Sequence, residues 1–317
     1  MDLGVITLLL LALAFAWSMG AHYTGACMGM PYATGSIGLR PALGLMAVMT
    51  LLGAAFLSHG VLATVGLGIV RTARIGTAPA AVIVGSAFAL TTLFNVLRIP
   101  TSTIQILVSC IAGVGLAFGF GIQWTTIAHL ALLWVLAPGI AMALGFALTR
   151  VLDRLCRLRG VRWMVPMARA LVLVGALASL AMGANDVSNA TAVFLTTQRF
   201  DVFTAGLLGG VGLAVGVLTW GRPLLERVAF DVVKMDLTMA TAAQLVQGLV
   251  VLMAVAFGCF TSMNQALIGA MAGAGFARGR ETVQWSVVRG ILLGWLVGPV
   301  AGLALGYGAG LAARAAA

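Results

Sequence analysis

The stretch Gly183-Ala184-Asn185-Asp186-Val187-Ser188-Asn189-Ala190 sets one carboxylate and two carboxamides on small residues inside an apolar run. Leu171 to Met182 precede it and Ala192 to Leu195 follow. A charge at bilayer depth costs roughly 3 kcal/mol or more, so one that persists there faces a cavity, an ion or a substrate. Carboxylate and amide oxygens, with backbone carbonyls freed by a helix break at Gly183, suit a hard monovalent cation or a proton. Asp186, Asn185 and Asn189 are therefore the expected cation-coupling group. The coupling ion is a proton or a sodium ion at Asp186, with no other metal and no cofactor. The competing reading is an Asp that caps a helix end at the membrane surface. The neighbouring Asn and Ser oxygens, which make a cluster, weigh against it.

A second chemistry repeats twice. Thr101, Ser102 and Thr103 follow Pro100 and precede the helical run Ile104 to Ala117, and Thr261 and Ser262 likewise precede Met263 to Ala277. Hydroxyls at a helix start, beside unpaired N–H groups and the positive end of the helix dipole, form an oxyanion site. Two such starts facing each other hold a tetrahedral anion without a full positive charge, which suits a site that must release what it binds. Gln105, Asn264 and Gln265 are placed to orient that anion. Either pair alone reads as ordinary N-capping; the duplication, with Gln105 and Gln265 in matching places, argues for a site.

Elements that hold such groups in register here are membrane spans. Hydrophobic residues make up 62% of the 317-residue chain and charged residues 8%, too few to hydrate a soluble domain. Apolar segments long enough to span lie near 3–19, 40–58, 79–97, 124–149, 167–184, 202–220, 238–257 and 286–312. Shorter pieces at 20–36, 61–70, 99–121 and 259–277 are candidates for half-helices and re-entrant hairpins, which need surrounding protein. A removable signal peptide at Met1 to Trp17 is rejected, because apolar segments recur to the end. The net charge of +10 is a topology signal, not a nucleic-acid surface. Arg150, Arg154, Arg157, Arg159, Arg162 and Arg169 surround a polar centre that should be a cytoplasmic loop. Cys27, Cys110, Cys156 and Cys259 stand far apart and predict neither disulfide nor zinc.

The two halves match. Pro100-Thr101-Ser102-Thr103-Ile104-Gln105 corresponds to Phe260-Thr261-Ser262-Met263-Asn264-Gln265, then Gly113 and Gly115 to Gly273 and Gly275. Gln123-Trp124 pairs with Gln284-Trp285, and Trp134 and Pro138 with Trp295 and Pro299. Upstream, Met19-Gly20-Ala21-His22-Tyr23 aligns with Met182-Gly183-Ala184-Asn185-Asp186. The division is a first transmembrane repeat at 1–150, a basic cytoplasmic linker at 151–166 and a second repeat at 167–317. An internal repeat built on interrupted apolar segments points to a secondary transporter with its site near the midplane. The glycines should serve close helix packing. His22 could titrate near physiological pH and joins the cation-coupling candidates, although a packed, hydrogen-bonded histidine is an equal reading.

At these residues the chain resembles the PiT family of inorganic phosphate transporters. Residues Gly183 to Ala190 are similar to its signature G-A-N-D-V-A-N-A, and the Thr-Ser hairpins followed by Gly-x-Gly to its second repeated element. The resemblance covers essentially the whole chain. It implies an all-α polytopic fold of two inverted repeats with broken helices and re-entrant hairpins, both termini outside, and cation-driven anion uptake. The family's phosphate carriers keep the Asn-Asp signature in both halves, whereas the first half here reads Gly20-Ala21-His22-Tyr23-Thr24-Gly25-Ala26. With Gly29, Tyr32 and Ser36, that segment resembles the sulfate permease branch. Sulfate has no proton to donate, so a site without that acceptor loses nothing in binding it, while phosphate would use the acid.

The expectation is a multi-pass inner-membrane symporter that imports sulfate by alternating access, with phosphate as the alternative because Asp186 can still accept a P–OH bond. Its partners are the inorganic anion and the lipid bilayer; small-residue faces also permit a homodimer. An intramembrane enzyme using Asp186, His22 or Ser262 is disfavoured, since no H-E-x-x-H or G-x-S-x-G pattern accompanies them.

Overall fold

The computed structural model describes residues 3–62, 69–70, 75–196, 200–231, 235–257, 261–279 and 283–316. In chain order its helices are α1 (Leu3–His22), α2 (Thr24–Ala33), α3 (Leu39–Phe56), α4 (Thr77–Val96), α5 (Thr103–Phe118) and α6 (Trp124–Arg159). A 3-10 turn at Gly160–Trp163 leads into α7 (Met164–Thr196), α8 (Val202–Trp220), α9 (Arg222–Asp231), α10 (Leu237–Ala256), α11 (Met263–Arg278) and α12 (Trp285–Ala315). Among the described residues, eight stretches are long and apolar enough to cross a membrane, α1 with α2 counting as one, and they coincide with the eight expected spans. Exposed Leu, Val and Phe along α6, α8 and α12 present an apolar surface of the kind that faces lipid.

Helix lengths follow from composition and rise. The 36 residues of α6 extend about 54 Å, well beyond a hydrocarbon core of about 30 Å. Its excess carries Arg150, Arg154, Arg157 and Arg159. The stretch 151–166 thus comprises the last turns of α6, the 3-10 turn and the first residues of α7. By contrast α5 and α11 have 16 residues each, about 24 Å, too short to span. Both are buried along most of their length, so protein surrounds their ends.

Packing is crosswise between the halves. α5 lies on α12 and α11 on α6; α1 lies on α8 and α3 on α7. Within the halves α4 packs on α1 and α10 on α7. Glycine makes the crossings possible. A Cβ on Gly183 of α7 would stand 2.0 Å from Thr50 O of α3, and one on Gly20 of α1 would stand 2.0 Å from Leu213 O of α8. The hairpins follow suit: Gly113 meets Leu303 O and Gly273 meets Met142 O, at 2.4 and 1.9 Å from a would-be Cβ. Small residues that let backbones touch are the usual means of membrane helix association.

One expectation fails here. α7 runs unbroken through Gly183, so no carbonyl is freed there. The glycine serves the close approach to α3 instead. The interruption falls in the first half, where α1 ends at His22 and α2 begins after Tyr23. Most of the piece expected at 61–70 lies outside the described residues, as do Cys259 and Phe260. Within the described part, Val70 pairs with Ile122 in an isolated bridge.

Candidate functional site

The N-termini of α5 and α11 meet in the interior. Ser102 and Ser262 are their N-caps, each accepting from the backbone N–H three residues on, Gln105 and Gln265, at 3.4 Å. The capping reading therefore holds for both serines, while Thr101, Thr103 and Thr261 are left for other work. All five hydroxyl residues are buried. Asn264 Nδ2 donates to Thr101 O at 2.7 Å and ties one tip to the other.

Each tip is also held from its own half's first helix, by different residues doing the same thing. Asn185 Nδ2 donates to Thr261 O at 2.9 Å and Asn185 Oδ1 accepts from Thr261 N at 3.4 Å. At the equivalent place His22 Nε2 lies 3.1 Å from both Thr101 N and Thr101 O. Asn95 Nδ2 donates to Ser18 O at 2.8 Å, which turns its Oδ1 toward His22 Nδ1. Nδ1 then carries a ring proton, and Nε2 faces both the N–H and the carbonyl of Thr101. His22 and Asn185 thus bond the two helix tips.

Asp186 sits mid-helix on α7, not at an end, and is fully buried. Its Oδ1 accepts from Asn189 Nδ2 at 3.4 Å, and Tyr23 and Asn185 flank it. Asn189 Nδ2 also reaches Thr103 Oγ1 at 3.3 Å, and Tyr23 Oη lies 2.7 Å from that same oxygen. Four buried oxygens near the tips have no donor among the described residues: Asp186 Oδ2, Asn189 Oδ1, Gln105 Oε1 and Gln265 Oε1. Unmet buried acceptors are costly unless a cation or proton joins them. Among the described residues no group of His, Cys, Asp and Glu has the makings of a transition-metal site. The donor set is all oxygen, which fits a hard cation.

The far ends of the short helices are anchored too. Arg278 at the end of α11 bonds Asp153 Oδ1 and Asp236 Oδ2, both at 2.6 Å, and Thr238 Oγ1 at 2.9 Å. At the end of α5, Arg314 donates to Ala117 O at 3.0 Å. Arg314 and Asp153 occupy equivalent places in α12 and α6.

Thus Thr101, Ser102, Thr103, Thr261, Ser262, Gln105, Asn264 and Gln265 come together with Asp186, Asn185, Asn189 and His22 in one buried cluster. Tyr23 and Asn95 were not singled out in the sequence. Tyr23 had one usable signal, its alignment with Asp186. The one carboxamide in α4 was the signal for Asn95, with no hint of its partner 73 residues away.

The model of the phosphate transporter family matches this chain in two stretches, residues 19–171 and 159–306. Sulfate permease CysP of Bacillus subtilis is 28% identical, over 94% of this chain and 85% of its own length. A Pyrococcus abyssi protein named as a phosphate permease is 25% identical over 96% of each chain. A solved structure titled "The sodium-dependent phosphate transporter" superposes with a TM-score of 0.88 at 22% identity, covering 99% of this chain and 100% of that one.

Proposed function

We propose, from the premise that this chain belongs to the phosphate transporter family, that it is a secondary transporter importing a tetrahedral inorganic oxyanion with a coupling cation. One observation carries the reading. Two helix N-termini bearing Thr and Ser face each other beside a buried cluster of unpartnered acceptor oxygens. The N-termini and hydroxyls of Thr101, Thr103 and Thr261 receive the anion, and Asp186 with Asn189 receives a sodium ion or a proton. Cation and anion then compensate each other's charge in a site of low dielectric.

Sulfate is the favoured substrate, because the first-half partner of Asp186 is a phenol that accepts no proton from the anion as a carboxylate would. Phosphate is the second reading, supported by Asp186 itself. Uptake of labelled sulfate into vesicles should be blocked by selenate or thiosulfate and not by phosphate. Blockade by phosphate at comparable concentration sinks the sulfate assignment.

The two halves, 1–150 and 167–317, are read as inverted repeats about the basic segment 151–166. In support, α5 and α11 meet by their N-termini and each ends beside the last turns of its long partner, α12 and α6, the arrangement expected if those long helices run in opposite senses. The arginines of α6 then face the cytoplasm and both termini lie outside, in an inner membrane. Transport proceeds by alternating access of the central cluster to either face.

A further inference from the structure

Equivalent positions of the two halves differ in a correlated way. Tyr23 stands where the second half has Asp186, Ala26 where it has Asn189, and Thr103 where it has Met263. The second half offers a carboxylate and a carboxamide, and the first a phenol and a facing hydroxyl. These side chains join in a ring across the halves. Tyr23 Oη lies 2.7 Å from Thr103 Oγ1, Asn189 Nδ2 donates to that oxygen at 3.3 Å and to Asp186 Oδ1 at 3.4 Å, and Tyr23 flanks Asp186. Every member is buried, so no bulk water substitutes for a missing partner.

A phenol and a threonine hydroxyl each have one hydrogen and can each accept. Two arrangements of the same atoms follow. With no cation present, Tyr23 is free to turn its hydrogen to the Asp186 carboxylate it flanks, and Thr103 then donates its own to Tyr23 Oη. With a cation on Asp186, the carboxylate lone pairs are taken and positive charge repels the phenolic hydrogen. Tyr23 then donates to Thr103 Oγ1. Asn189 already donates to that oxygen, so both its lone pairs are filled and its hydrogen must point at another acceptor. The bound oxyanion is that acceptor.

We propose that Tyr23 is a positioning residue that makes anion binding conditional on the cation, by turning the Thr103 hydrogen toward the anion only when Asp186 is occupied. The inference rests on the reading of Asp186 as the cation site and Thr103 as an anion ligand. By linkage, the relay then also makes cation binding depend on the anion by the same factor.

The experiment is sulfate and phosphate binding and counterflow in proteoliposomes, with sodium and pH varied independently. In the wild type, adding the coupling cation should lower the apparent anion KM. Tyr23→Phe should reduce that cation-dependent change by about tenfold, the scale of one hydrogen bond to a charged group. Thr103→Val should do the same, and the double variant should be no worse than Thr103→Val alone, since both break one relay. An unchanged cation dependence in Tyr23→Phe, or additive losses in the double variant, overturns the proposal. A lower maximal rate at unaltered cation dependence also overturns it, by showing a merely structural tyrosine. Should Tyr23→Phe not fold, Thr103→Val alone decides by the same criterion. Failure of the wild type to bind either anion refutes the underlying transporter reading instead.

Discussion

Replacing Gly183 with alanine would place a methyl carbon 2.0 Å from Thr50 O, with Thr50 C at 2.8 Å and Ala54 N at 2.9 Å. Real Cβ atoms essentially never approach closer than 3.0 Å, so α3 and α7 must part by about 1 Å. The obstructing atoms are backbone, and no rotamer change relieves them. Overpacking of this kind costs about 1–3 kcal/mol, against which alanine's better helix propensity returns about 1 kcal/mol. Gly44, on the same α3, is the control, because a Cβ there meets nothing within 4 Å. Gly44→Ala should stabilise by about 0.5–1 kcal/mol. Gly183→Ala should also impair uptake by about tenfold or more, since Asp186 lies one helical turn away and a shift of about 1 Å is large for a positioned group. The buried thiols of Cys27 and Cys110 offer the assay: a thiol-reactive fluorophore reports their exposure as the protein is heated in detergent. Equal midpoints for the two alanine variants would refute the close-approach argument.

Further outcomes can be checked in the same preparations. Asp186→Asn should abolish cation-driven uptake while leaving the thermal midpoint near that of the wild type; wild-type rates would remove Asp186 from the coupling role. Arg278→Ala should lower stability by about 1 kcal/mol, a deficit that shrinks in high salt because the ion pairs it breaks are partly exposed. A deficit independent of salt would point to packing. Asp201 caps α8 by accepting from Thr204 N at 2.6 Å, and this bond holds its carboxyl below the usual carboxylate range. Its contribution is therefore complete at neutral pH and fades only as the pH falls through that lowered value. The stability difference between wild type and Asp201→Asn should vanish in acid, and a difference that grows instead would contradict the capping geometry.

Hydropathy made the eight spans legible, since each needs a long apolar run and little else. The hairpin tips were legible because Thr-Ser recurs at matching distances in both halves. The unbroken course of α7 was not. A glycine in an apolar helix serves equally for a break or for a close approach, and only the neighbouring α3 decides between them. The sequence leaves His22 as either a titrating group or a packed, hydrogen-bonded one, and in the structure it is bonded to Asn95 and Thr101. Those partners lie 73 and 79 residues away, and their contact depends on how α1, α4 and α5 pack. The pairing of Tyr23 with Thr103, 80 residues apart, escaped for the same reason.

The crosswise packing has a consequence for the chain as a folding unit. α5 finds its groove on α12 and α11 finds its groove on α6, so neither half possesses the surface that completes its own hairpin. A fragment ending at Arg159 would leave the glycine face of α5, around Gly113, uncovered, and a fragment beginning at Gly160 would do the same to α11 around Gly273. Synthesised apart, each should be cleared as incomplete; synthesised together, the two should assemble without a covalent link. The molecule thus resembles two interlocked clasps, each of which closes only on the other.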